Sequence, residues 1–196
     1  MIDKVLEIIR DEIQVFFNKK VSVSIGDRKI KLAPADGSAG SENTIENAVS
    51  MTVIRIENDR ENMSNGGGRR AGQNSNVLIL NQPVRLNVYV LFAAHFKDYI
   101  ESLKFISYVI AFFQTKSLFN QENTPNLPDY QQDIKVHLID QNVEELNRIW
   151  GMIGGDFSPC VLYRLRSVTV DEREIQATGA VAGDTDLEMG HSGELS

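Results

Sequence analysis

The chain has 196 residues, 42% of them hydrophobic and 24% charged, with a formal net charge of −7, the profile of an ordinary soluble protein with one domain as the default. A chain of this size buries about 70% of the surface its unfolded form exposes, so it needs no disulfide or structural metal to hold a core. Cys160 is the only cysteine, which excludes an intrachain disulfide and a multi-cysteine zinc site and fits a reducing cytoplasm.

The first residues, MIDKVLEIIRDEIQVFF, carry Asp3, Glu7, Asp11 and Glu12 among the apolar positions, so they lack the unbroken core of a signal peptide. No stretch approaches the eighteen or so apolar residues of a membrane span; the best is Ile106 to Phe113. Instead Ile2, Val5, Leu6, Ile9, Ile13 and Phe16 recur at steps of three and four, which predicts an amphipathic helix over 2–17. VSVSI at 21–25, Gly26-Asp27 and the run from Arg28 to Leu32 read as a short hairpin. A loop with Pro34, Asp36-Gly37 and Gly40 follows over 33–47, then a strand at 49–56.

From 58 to 76 the chain is polar and holds Gly66-Gly67-Gly68-Arg69-Arg70, a composition expected to stay mobile unless a partner holds it. After Pro83 the alternation of Val84, Leu86, Val88, Val90 and Phe92 predicts a long central strand. Asp98 can cap the next helix, with Glu101 completing a capping-box-like pair and Ile100, Leu103, Ile106 or Ser107, Ile110 and Phe113 forming its apolar stripe. A strand at 134–139, a helix near 143–150 with Leu146, Ile149 and Trp150 facing inward, and a strand at 160–170 complete the pattern; Gly151 or Gly154-Gly155 stops the helix. Residues 172–196 read as an acidic flexible tail. The expected fold is α+β: a single domain over 1–171 with a mixed β-sheet flanked by two or three helices.

Charge is unevenly spread. Residues 171–196 hold seven acids against Arg173 alone, while the other 170 residues hold 20 acids and 19 bases. A nucleic-acid binder would show a basic excess, so that class is disfavoured.

Catalytic patterns are weak. Gly67 and Gly72 have phosphate-loop spacing, but Gln73-Asn74 stand where Lys and Ser or Thr are required. A thiol enzyme would need Cys160 beside His137 and Asp140, yet Cys160 opens an apolar strand, where cysteine is usually a plain hydrophobe. His95, His137 and His191 lie in separate segments without zinc-ligand spacing. Asp11-Glu12 and Glu144-Glu145 are adjacent on helices, so neither pair can act on one bond. The expectation is a non-enzyme with no cofactor and no metal. What remains is contact chemistry: Arg164 and Arg166 on one side of a strand, Arg69 and Arg70 in a loop, and acids such as Glu172 and Glu174 that suit contacts between identical subunits.

Three stretches together resemble a known family. MIDKVLEIIRDEIQVFF, PVRLNVYVLFAAHFKDYIESLKFISYVIAFFQ at 83–114 and VEELNRIWGMIGGDFSPCVLYRLRSVTVD at 143–171 are similar to the tube-terminating cap proteins of contractile injection systems, which are phage-tail-like particles. The third is the most specific, through Glu145-Leu146-Asn147, Trp150-Gly151, Gly154-Gly155, Ser158-Pro159 and Tyr163-Arg164. The resemblance implies a tail-terminator-like structural protein: a hexameric ring on the baseplate-distal end of the inner tube that stops tube growth and ties it to the last sheath ring. It implies the tube protein, the sheath protein and further copies of the chain as partners, with no nucleic acid, and assembly in the bacterial cytoplasm. The alternatives are a phage-type head-to-tail joining protein and a small thiol hydrolase.

Overall fold

The computed structural model describes residues 1–21, 28–36, 45–59, 69–71, 76–80, 83–171 and 175–180. In chain order they form α1 (Ile2–Lys20), β1 (Ile30–Leu32), β2 (Ala48–Asn58), β3 (Arg69–Ala71), β4 (Asn76–Leu80), β5 (Val84–His95), α2 (Tyr99–Thr115), β6 (Leu118–Phe119), β7 (Ile134–Ile139), α3 (Val143–Ile153), β8 (Cys160–Val170) and β9 (Ile175–Ala180). The main unit carries a six-stranded sheet in the order β1-β2-β5-β8-β7-β6, and a second unit carries a three-stranded sheet, β3-β4-β9. In the main sheet β1 runs parallel to β2 and every other pair is antiparallel. The sheet is therefore mixed and, with its three helices, gives the α+β class that the periodicities imply.

Alternation along β5 sorts its side chains by face. Val88, Val90, Phe92 and Ala94 turn to one side, where α1 buries Val5, Leu6, Ile9, Ile13 and Phe17 and α2 buries Phe105, Ile106, Val109, Phe112 and Phe113. Aromatic rings lock this layer. Phe17 meets Phe105 edge-on at 5.2 Å between centroids, and Phe92 meets Phe113 at 5.6 Å and Tyr163 at 5.8 Å. Leu91 and Ala93 turn to the other side and pack with Leu162 beneath Ile149 and Trp150 of α3.

The helix ends follow their local chemistry. Asp98 accepts the Ile100 N–H at 3.0 Å at the start of α2. Asn142 and Glu145 form a full capping box at α3, with the Asn142 side chain accepting from Glu145 N at 2.8 Å and Glu145 accepting from Asn142 N at 3.2 Å. Gly154 ends that helix at φ 75°, in the left-handed region that favours glycine. A Cβ at Gly155 would stand 3.0 Å from Asp36 Cα, so only glycine lets the two backbones come this close.

Four expectations need correction. The buried stripe of α2 does not include Ile100 and Leu103, which are exposed; it runs through Phe105, Ile106, Val109, Phe112 and Phe113. The hairpin over 21–32 lies partly outside the described residues, which omit 22–27; its second half, β1, pairs in parallel with β2, Ile30 opposite Val49. Within the supposed loop 58–76, Asn58 belongs to β2, Arg69–Ala71 form β3, and Asn76 opens β4. Within the supposed tail 172–196, Ile175–Ala180 form β9 and pair with β4, Leu78 opposite Thr178. The apolar run Val77-Leu78-Ile79-Leu80 is what a strand there requires. Both segments leave the main sheet from one end, where Asn58 faces Leu86 and Val84 faces Val170. Residues 100 apart in the chain are thus started from neighbouring strands.

Candidate assembly interface

Helix α3 covers only part of its face of the main sheet. One row beyond Leu91 and Leu162, cross-strand register places Arg55 opposite Tyr89, Tyr89 opposite Arg164, and Arg164 opposite His137. The next row sets Lys135 beside Arg166. Residues directly opposite on paired strands share a face, so Arg55, Lys135, Arg164, Arg166 and His137 form one basic surface that α3 leaves open.

Two irregularities in register shape this surface. One lies between Val53 and Arg55 of β2, the other between Leu86 and Val88 of β5. Such bulges re-aim side chains. Opposite the second, Ser167 sits at φ 64°, and its Oγ donates to Asp59 Oδ2 at 2.9 Å. Asp59 is 1% exposed and faces the Arg166 guanidinium at 3.7 Å, while its backbone N–H donates to Arg85 O at 2.9 Å. On the row above, Arg55 pairs with Glu57 at 2.6 Å and lies over the Tyr89 ring, whose hydroxyl donates to Glu57 at 2.7 Å. Arg85, Lys135, Arg166 and Ser167 also line an open cleft with Gln131 and the carboxylates of Glu122 and Asp133.

Arg164 and Lys135 differ from these paired cations. Arg164 Nε is buried without a hydrogen-bond partner among the described residues. Lys135 is exposed and makes no ion pair among the described residues. The positive field registers on His137: partial burial lowers its pKa, and the charges of Arg164, Arg166 and Lys135 lower it further. Replacing Arg164 with glutamine removes one of those charges and is expected to move the His137 pKa up toward its ordinary value, as read by NMR titration of the imidazole; an unchanged midpoint would show that Arg164 exerts no field there.

The sequence candidates divide. Arg164 and Arg166 share one face. Arg69 and Arg70 fall in β3 of the second unit, opposite Ile79 and Leu78. Glu172 and Glu174 lie outside the described residues, as do Gly67, Gly72, Gln73 and His191. Cys160 and His137 are not brought together: the partner of His137 in β8 is Arg164, four residues along the strand from Cys160, a separation of about 13 Å at the usual rise. Burial also pushes the Cys160 thiol up, away from the reactive thiolate. His95 Nε2 lies 2.9 Å from Ser50 Oγ, a local contact. Glu12 pairs with Lys116, Asp11 with Arg10, and Glu145 is held in its capping box, so the adjacent carboxylates have separate structural partners. Among the described residues no group of three His, Cys, Asp or Glu could hold a metal ion.

Arg55, Tyr89, Asp59 and Lys135 escape the sequence reading because a shared face depends on strand order. For Lys135 the local signal was its alternation with His137 in IKVHLI; the others have none.

A family model of the Pvc16 N-terminal domain matches residues 4–183. The chain belongs to this family. Two solved structures are similar to it in fold. One is the sheath/tube terminator of the extracellular contractile injection system PVC in its extended state, with a TM-score of 0.64 and 13% identity over 100% of this chain and 65% of that one. The other is the tube-terminating cap of the anti-feeding prophage, with a TM-score of 0.59 and 12% identity over 94% of this chain and 60% of that one. The Pvc16-family chain thus spans somewhat under two thirds of each of these proteins. No curated protein matches it. The segments at 83–114 and 143–171 that carried the resemblance to terminator and cap proteins lie inside the matched region.

Proposed function

We propose that this Pvc16-family chain is a structural terminator of a contractile injection system. It forms a six-membered ring on the baseplate-distal end of the inner tube, stops tube growth and links the tube to the last sheath ring. Assembly takes place in the bacterial cytoplasm. The observation that carries this reading is the match of residues 4–183 to the Pvc16 N-terminal domain, in a chain whose fold is shared by a sheath/tube terminator and a tube-terminating cap. The site supports it: the chain offers a charged sheet face suited to protein contacts, and its thiol and imidazole stand too far apart for nucleophilic catalysis.

The test is to mix the purified chain with its tube protein, weigh the free chain by light scattering and image the mixture by negative stain. Rings confined to tube ends, with shorter tubes as the chain is added, are expected. A chain that stays monomeric and leaves tube ends bare would overturn the reading, and binding to a portal ring or to DNA ends would replace it with the head-to-tail joining role.

A further inference from the structure

The carboxylates on the strands of the open basic face are Glu57, which pairs with Arg55, and Asp59, which is buried against Arg166 and Ser167. Glu122 and Asp133 line the cleft at its edge beside Lys135 and Arg166. Neither Lys135 nor Arg164 makes an ion pair among the described residues, although Glu122 and Asp133 share the cleft with Lys135 and Arg164 Nε is already withdrawn from water. A buried donor without a partner is costly, and a carboxylate is the acceptor that best satisfies a guanidinium. The surface therefore fits a peptide carrying several acids at short spacing.

The chain itself contains such a peptide. Residues 181–196 hold Asp184, Asp186, Glu188 and Glu194 and no lysine or arginine. Asp184, Asp186 and Glu188 alternate with other residues, so in an extended backbone all three would point to one side. Sixteen residues can span up to about 55 Å. We propose that the basic face formed by Lys135, Arg164, Arg166 and His137 binds the acidic stretch 181–196 of a second copy of this chain. Each copy then presents one face and one acidic stretch, a head-to-tail contact that closes into a ring when the rotation between copies allows it. This proposal rests on the terminator reading for its ring.

The experiment couples the two surfaces covalently. Unlabelled and nitrogen-15-labelled full chains are mixed, allowed to assemble and treated with a carbodiimide, which joins a lysine amine to a carboxylate with loss of water. Tryptic peptides joining Lys135 to an acid within 184–194 are expected, with mixed-label pairs at the frequency of random association. Their yield should fall roughly tenfold between about 0.05 M and 0.5 M salt, as contacts between exposed charges do. The exposed pair Lys135→Glu with His137→Glu should lower the assembled fraction, read by light scattering. Asp184→Lys, Asp186→Lys and Glu188→Lys in the same chain should restore it. Joined peptides that are always of one label would assign the face to the chain's own acidic stretch and overturn the proposal. So would absence of coupling to 184–194, or coupling of Lys135 to a tube or sheath protein added to the same sample. Tube-end decoration is scored in parallel: capped tubes without the mixed-label link defeat this proposal alone, and the link without capped tubes defeats the terminator reading alone.

Discussion

Phe92→Ala is expected to destabilise the main unit by about 3–5 kcal/mol, the usual range for removing a fully buried aromatic side chain. Phe92 is 0% exposed on the central strand β5 and faces the rings of Phe113 from α2 and Tyr163 from β8. The void cannot close by moving one neighbour, because one ring is fixed on a helix and the other on a sheet strand held on both sides. Since a domain of ordinary stability has only about 5–15 kcal/mol to lose, the urea midpoint should drop sharply. Val15→Ala, on the outer side of α1 at 53% exposure, should stay within about 0.5 kcal/mol. A loss below about 1 kcal/mol for Phe92→Ala would mean that the α1–α2 layer does not pack on the sheet as described.

The second large effect is electrostatic. Arg166→Met is expected to reduce stability by about 3–5 kcal/mol, because it leaves a buried carboxylate without the cation that faces it. Asp59 is 1% exposed and Arg166 20% exposed, so solvent screens the pair little. A second substitution separates loss of the charge pair from loss of packing. Asp59→Leu combined with Arg166→Met removes both charges, and the double variant should be more stable than Arg166→Met alone, since replacing both partners of a buried pair by apolar groups is often close to neutral. Equal urea midpoints for the single and double variants would show that the pair carries no electrostatic weight.

How much of this was legible in the sequence depends on the range of the interaction involved. The helical spacing of Ile2 to Phe16, the alternation of Val84 to Phe92 and the spacing of Leu146, Ile149 and Trp150 are local patterns, and α1, β5 and α3 appear where those patterns put them, with ends moved by a few residues. The parallel pairing of β1 with β2 and the meeting of β4 with β9 carry no local signal, because each depends on a partner distant in the chain. The basic face was half legible. Arg164 and Arg166 share a side by simple alternation, but Lys135, His137 and Arg55 join them only once β8 is known to lie between β5 and β7 and β2 on the far side of β5. Asp59 sits in a polar stretch that reads as solvent-exposed, and the unusual backbone at Ser167 that brings a hydroxyl to it is invisible to periodicity.

The margins of the main sheet carry a further consequence. Its outermost strands, β1 and β6, have three and two residues, and they pair only with Val49–Met51 of β2 and with Ile134 and Lys135 of β7, so the remaining length of β2 and β7 has no outer strand partner among the described residues. Long free margins invite run-on polymerisation, and very short ones are a recognised safeguard against it. On the proposed terminator reading, a part needed in a fixed, small number of copies has to join its neighbours without seeding an open-ended fibre. Since β1 and β6 cover only part of the strands beside them, that restraint falls to charged side chains such as Arg55 and Glu57 on the uncovered length of β2, which make strand addition unfavourable.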